Sequence, residues 1–154
     1  MSEGIPFMRL FCALTFVTCV AFAAEKKVKL EDLPQPVQAA VKEQTRKATL
    51  VGISTEKEKG KTMYEVETKV NGKGRDMLLD QTGAIVETEE EVDINAVPSA
   101  ARAALQKRAG DGSLSKVEKV TAGKVTSYEG TIKTKAGKTI EYAVTADGKH
   151  QKED

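Results

Sequence analysis

The feature that most constrains the fold of this chain is a change of hydrophobic period, from helical spacing to strict alternation, that occurs twice along its 154 residues. The first window opens with Leu33, Val37, Ala40, Val41 and Gln44, and the second with Val97, Ala101, Ala104, Leu105 and Arg108. That i, i+4, i+7, i+8 spacing gives a helix with one apolar face. Pro34 and Pro98 fall in the first turn, where a missing N–H costs nothing. Gly110 suits the C-terminal cap of the second helix. The first helix has no such stop, and the reading has it fray near Lys47.

After each helical window the period becomes two. Tyr64, Val66, Thr68 and Val70 share one face of a strand, with Met63, Glu65, Glu67 and Lys69 on the other. Further on, Tyr128, Ile132, Ile140, Tyr142 and Val144 give the apolar face, opposite Glu129, Thr131, Lys133 and Glu141. Such alternation marks strands buried on one side. Turn signals at Gly60, Asn71-Gly72, Gly83, Gly123, Gly137 and Gly148 separate the strands.

The two windows also correspond residue by residue. Leu33-Pro34 and Val97-Pro98 lie 64 positions apart, and the same offset carries Tyr64-Glu65 onto Tyr128-Glu129 and Leu50 onto Leu114. Ordered correspondence of this kind indicates an internal repeat. The expectation is therefore an α+β protein of two tandem repeats, each a helix packed on an antiparallel β-meander, with the sheets side by side or merged. The first repeat spans 24–93 and ends in an acidic linker; the second spans 94–154. A unit of about 60 residues buries only roughly 60% of its unfolded surface and is marginal alone, so the two are expected to pack together.

Residues 1–23 differ in kind. Leu10 to Ala24 is an uncharged apolar run behind Arg9, shorter than the roughly 20 residues a membrane-spanning helix needs. It ends in small residues, Ala21-Phe22-Ala23, as a cleavable signal peptide does. The expectation is a periplasmic or secreted protein, cut near Ala23, with no stable membrane span. Both cysteines, Cys12 and Cys19, lie inside this segment, so a mature chain would have no disulfide, thiol nucleophile or zinc–thiolate site. All four phenylalanines leave with it as well, and the core falls to Val, Ile, Leu, Ala and three tyrosines. Net charge is +1 with histidine neutral, without the basic surplus that nucleic acid or an anionic membrane demands.

Catalytic constellations do not assemble. The one histidine, His150, is four residues from the end, far from any nucleophile–acid pattern. Gly60-Lys61-Thr62 and Gly137-Lys138-Thr139 resemble the end of a phosphate-binding loop, but both lie in hairpin turns and lack its earlier glycine. Glu87, Glu89, Glu90, Glu91 and Asp93 could gather a hard cation, which takes several oxygen ligands. Alternate strand residues point to opposite faces, so these acids read instead as a solvated edge strand and linker. Asp80 and Asp147 read as turn residues. The expectation is no enzyme, no cofactor and no metal. The residues chosen for partner contact are those of the outer sheet face: Glu65, Glu67, Lys69, Glu129, Lys133 and Glu141. An envelope sensor or carrier of ions or a small ligand is the alternative.

The pattern resembles the PepSY-like family of exported proteins, whose fold is related to that of the beta-lactamase inhibitory proteins. Leu33-Pro34 with Val37 and Val41, Tyr64-Glu65-Val66 and Leu79-Asp80-Gln81-Thr82-Gly83 carry the resemblance. So do Val97-Pro98, Tyr128-Glu129-Gly130 and Val144-Thr145-Ala146-Asp147-Gly148, with Gly130 departing from the apolar residue expected there. The resemblance implies a periplasmic or cell-surface module that inhibits or regulates another exported or envelope protein, without catalytic residues or cofactor.

Overall fold

A computed structural model describes residues 26–58 and 60–151. The signal peptide expected over residues 1–23 lies outside them. Eight strands follow one another in a single antiparallel sheet, ordered as in the chain: β1 (Lys26–Lys27), β2 (Thr49–Glu58), β3 (Lys61–Val70), β4 (Lys73–Leu79), β5 (Ile85–Glu91), β6 (Ser113–Ala122), β7 (Val125–Lys133) and β8 (Thr139–Thr145). Helix α1 (Gln35–Gln44) lies between β1 and β2, and α2 (Ser99–Ala109) between β5 and β6. Each helix is preceded by one 3-10 turn, Leu30–Asp32 and Ile94–Ala96.

This overturns the expected fold class. The protein is a mostly β chain with two short helices on one continuous sheet, not two tandem helix-on-meander repeats. The reason is the ladder between β5 and β6, which pairs Glu87–Glu91 with Ala122–Glu118. Separate meanders would each expose a long unpaired edge there, and edge N–H and C=O groups seek partners. Pairing the two edges makes one sheet. The same ladder corrects the acidic stretch: β5 is an interior strand, hydrogen-bonded on both sides, and not an edge strand or linker.

Both helices cover one face of that sheet. From α1, Leu33, Val37 and Val41 pack with Ile53, Tyr64, Val66, Met77 and Leu79. From α2, Val97, Ala101 and Leu105 pack with Val117 and Val144, flanked by Leu114, Tyr128 and Tyr142. The cross-strand pairs Val66–Met77, Met77–Thr88 and Thr88–Thr121 place these clusters on the same side. Pro34 and Pro98 are the residues capping the two helix starts, their carbonyls accepting from Gln38 and Arg102 N–H at 3.0 and 2.9 Å. Gly110, at φ +53°, caps α2, and α1 stops at Gln44, with Arg75 donating to the Gln44 carbonyl at 2.9 Å.

Two hairpin loops hold the helix starts. Gly83 and Gly148 have φ of +81° and +80°, and a Cβ on either would lie 2.6 Å from a helix carbonyl oxygen, that of Pro36 or Ala100. Only glycine allows both the left-handed conformation and that approach. Gly130, the departure noted in the sequence, is explained by packing: a Cβ there would meet Leu114 Cδ1 at 2.7 Å and Leu105 Cδ2 at 3.1 Å. Beyond β8 the chain folds back, with Gln151 N–H donating to Ala143 at 3.0 Å. His150 stays exposed and stacks on Tyr142, centroids 4.5 Å apart, while Arg108 lies 5.4 Å from the Tyr142 ring centre.

Candidate functional site

Side chains of a strand alternate between faces, so the residues not directed at the helices form a second face. Two adjacent cross-strand rows at its centre are acidic. In one, Glu67 of β3 pairs with Asp76 of β4, and Asp76 with Glu89 of β5. In the other, Glu91 of β5 pairs with Glu118 of β6, and Glu118 with Glu129 of β7. Like charges directly opposite one another on a sheet are destabilising, and here the arrangement recurs across five strands.

Asp76, Glu89 and Glu118 converge further: a carboxylate oxygen from each lies within 4.8 Å of the others. Asp76 and Glu118 are buried, at 4% and 5% exposure, although both lie on the face opposite the helices. Glu118 is held by Lys116, whose Nζ lies 2.6 Å from its carboxylate. Glu91 accepts from Gly74 N–H at 3.1 Å. Burial, with the nearby charges of Glu118, Glu129, Glu87 and Asp76, pushes the Glu89 carboxyl up to about 9. Desolvation and like charge act in the same direction on a carboxylic acid, both disfavouring its anion. Glu89 is therefore neutral at pH 7, with a proton to offer a neighbouring carboxylate.

Among the described residues, the lysines on the strands of this face are Lys27, Lys61, Lys69, Lys116 and Lys133. Lys27 lies on the edge strand, and Lys69 and Lys133 lie at or next to the C-terminal ends of β3 and β7. Lys69 joins Arg46 and Lys47 around a separate shallow basic depression. Acids thus crowd the centre of the face, where Lys116 is the one strand lysine set among them, while the other strand lysines of the face lie at its margin, within a chain whose total is near neutral.

All six residues chosen from the sequence fall on this face, as the pairs Glu65–Leu78, Glu67–Asp76, Lys69–Gly74, Glu129–Ala143, Lys133–Thr139 and Glu141–Thr131 show. They are not equally accessible. Glu65 is 3% exposed and accepts a hydrogen bond from Ser54 Oγ at 3.2 Å, while Lys69 and Lys133 are exposed. The central trio of Asp76, Glu89 and Glu118 was missed. Alternation along β5 does send Glu89 and Glu90 to opposite faces, but convergence comes from neighbouring strands. The signal that could have found it was an acid at the same parity on each of three strands, given their order.

Three single-oxygen carboxylates do not make a hard-cation cage, which takes six to eight oxygens for calcium. Among the described residues no helix is long and apolar enough to cross a membrane.

No protein-family model and no curated protein matches the chain. Solved structures do share its fold. A Bacteroides eggerthii protein provisionally assigned to the periplasm is 18% identical, over 78% of this chain and 86% of that one, with a TM-score of 0.63. A BLIP-like protein from Bacteroides fragilis is 20% identical, over 79% and 85%, with a TM-score of 0.56. A DUF2874 family protein from Bacteroides uniformis is 19% identical, over 76% and 85%, with a TM-score of 0.61. At these identities the likeness is one of fold.

Proposed function

We propose that the protein is an exported, non-catalytic interaction module whose acidic sheet face docks a cationic segment of another envelope protein. The observation that carries this reading is the pair of adjacent acidic rows, Glu67–Asp76–Glu89 and Glu91–Glu118–Glu129, on a sheet face opposite both helices. A fold tolerates like charges stacked this way only at a cost in stability, and such costs are retained where a site needs them. Charge complementarity then selects a lysine- or arginine-bearing partner and speeds its encounter. Export is supported by the uncharged run Leu10–Ala24 behind Arg9, by the PepSY-like resemblance of the motifs, and by the periplasmic assignment of a structure sharing the fold. The non-catalytic part is supported by the placement of His150, exposed and stacked on Tyr142 away from the acidic rows.

The test is site-specific photo-crosslinking in the intact envelope from positions 67 and 129, with position 107 on the exposed side of α2 as control. The expected result is one crosslinked protein, captured from the face positions alone, whose crosslinked segment is basic and whose capture is lost at high salt. Equal capture from position 107, or a crosslinked segment that is neutral or acidic, counts against the reading. Ion sensing remains the competing function. It would raise the melting temperature with calcium, magnesium or zinc, because a ligand of the native state must stabilise it.

A further inference from the structure

At the corner of the sheet where α1 gives way to β2, a depression of about 560 Å³ is lined by Arg46, Lys47, Thr49, Lys69 and the Asn71–Gly72 turn, with no acid among its lining residues. Arg46 is paired through Nη2 with Glu43 at 2.9 Å, an exposed contact that uses one of its guanidinium nitrogens. Within the described residues no hydrogen bond or ion pair engages the side chains of Lys47, Thr49, Lys69 or Asn71. Glu67 lies two residues back from Lys69 on the same face of β3. Capping of α1 does not require these cations. The last carbonyls of a helix attract positive groups, but Thr45 Oγ1 donates to the Val41 carbonyl at 2.8 Å and Arg75 Nη2 to that of Gln44 at 2.9 Å.

The matching corner, where α2 gives way to β6, lacks the site. Ser113 pairs with Lys133 as Thr49 pairs with Lys69, but Gly110 and Asp111 stand in place of Arg46 and Lys47. Gly112 stands in place of Ala48, and a Cβ on it would collide with the Lys133 carbonyl oxygen, so the chain closes against β7 there. The turn beyond Lys133 also closes on itself, with Gly137 N–H donating to the Thr134 carbonyl at 2.9 Å and Lys138 N–H to Thr134 Oγ1 at 3.1 Å. Asn71 and Gly72 instead have φ of +52° and +84°, and within the described residues neither N–H has a backbone partner. Turn N–H groups of this kind are available to an anion.

We propose that this corner binds a phosphate monoester as its dianion, with Arg46, Lys47 and Lys69 around the phosphate oxygens and the Thr49 hydroxyl and the Asn71–Gly72 amides as further donors. The site is separate from the acidic rows and does not depend on docking there. Three cations match a doubly charged group better than the single charge of a carboxylate, and an arginine fork meets phosphate oxygens in pairs. The depression is larger than a phosphate needs, which leaves room for the organic group that the phosphate carries. The chain as a whole is near neutral, so recognition comes from this local group of charges and not from a basic surface.

Amide-resolved NMR of the chain titrated with methyl phosphate at fixed ionic strength tests this. In mildly alkaline buffer the amides of Lys47, Ala48, Asn71 and Gly72 are expected to shift together and saturably, while those of Asp111, Gly112 and Gly137 stay still. Affinity should be about fivefold above that for methyl sulfate, which carries one charge. It should fall severalfold in acid as the phosphate takes up its second proton near about pH 6, with methyl sulfate unaffected. Lys47→Gln combined with Lys69→Gln, both at exposed positions, should weaken methyl phosphate by at least about tenfold. Equal shifts at the two corners, shifts that do not saturate, or equal affinity for methyl sulfate overturn the proposal, and none of these readings needs a variant to fold. Vesicles of phosphatidylcholine carrying phosphatidic acid identify the source of the phosphate. Sedimentation of the chain with them, lost in the double variant, assigns a lipid headgroup; saturable methyl phosphate binding without sedimentation assigns a soluble monoester.

Discussion

Glu89 faces Asp76 directly across the β4–β5 pair, acid against acid, at the middle of a sheet rather than at its rim. The Glu89 carboxyl is held at about 9, against 4.5 for an ordinary glutamate. Between those values the folded chain keeps a proton that the unfolded chain has released. Stability must then fall as pH rises through the window from 4.5 to 9, by up to about 1.4 kcal/mol per pH unit, and level off above it. Glu89→Gln removes the titrating group. Denaturant midpoints at mildly acidic, neutral and mildly alkaline pH should decline for the native chain and stay nearly level for the variant. Parallel pH profiles would show that Glu89 is ionised in the fold.

The glycines at the hairpin tips separate two effects of a side chain. Gly137 has φ +80° with nothing within 4 Å of a Cβ, so Gly137→Ala should cost only the left-handed conformation, roughly 1 kcal/mol. Gly83 has φ +81° and its Cβ would meet the backbone oxygen of Pro36 at 2.6 Å; Gly148 repeats this with Ala100. Backbone cannot swing aside as a side-chain end can. Gly83→Ala and Gly148→Ala should therefore lose at least about 1 kcal/mol more than Gly137→Ala in chemical denaturation. Equal losses at all three positions would mean that the loops do not seat on the helix starts.

The parts of the fold that were legible in the sequence are those set by neighbours in the chain. The spacing of Leu33, Val37 and Val41 and of Val97, Ala101 and Leu105 identified both helix faces, because helical periodicity is local. The alternation of Tyr64, Val66 and Thr68 identified their side of β3 for the same reason. The β5–β6 ladder was not legible. It joins Glu91 to Glu118 across a helix, and nothing in the polar run Glu87–Asp93 distinguishes an interior strand, hydrogen-bonded on both sides and half-buried, from a solvated edge. The acidic centre was hidden for that reason: Asp76, Glu89 and Glu118 come together only once the order β4–β5–β6 is known.

Asp147 titrates in the opposite sense to Glu89. Hydrogen bonds from Lys149 and Thr145 hold its carboxyl down to about 2, against 3.8 for an ordinary aspartate, with the charge of Lys149 adding to them. Whatever stability this turn contributes is then complete above the ordinary aspartate range and is lost as pH falls through about 2. The Asp147 carboxyl resonance should move at lower pH than a free aspartate, and Lys149→Met should bring it back up. A midpoint unchanged by Lys149→Met would assign the shift to Thr145 alone.

Gly130 tests how tightly α2 is packed on the sheet. Leu105, from α2, is fully buried, and its Cδ2 would lie 3.1 Å from a Cβ at position 130, with Leu114 Cδ1 nearer still at 2.7 Å. Removing bulk on the helix side, Leu105→Ala, should cost about 2–5 kcal/mol, since the cavity opens beneath a helix held by few other large side chains. Adding bulk on the strand side, Gly130→Val, should cost about 1–3 kcal/mol through displaced leucine ends. The cost of Gly130→Val should fall when the nearer leucine end, Leu114 Cδ1, is removed to give the added bulk room. Gly130→Val combined with Leu114→Ala should be more stable than the sum of the single losses predicts, by about 0.5 kcal/mol or more. A strictly additive double mutant would place the strain of Gly130→Val in the β7 backbone, not in the Leu105–Leu114 contact, and the explanation of this glycine by side-chain packing would have to be given up.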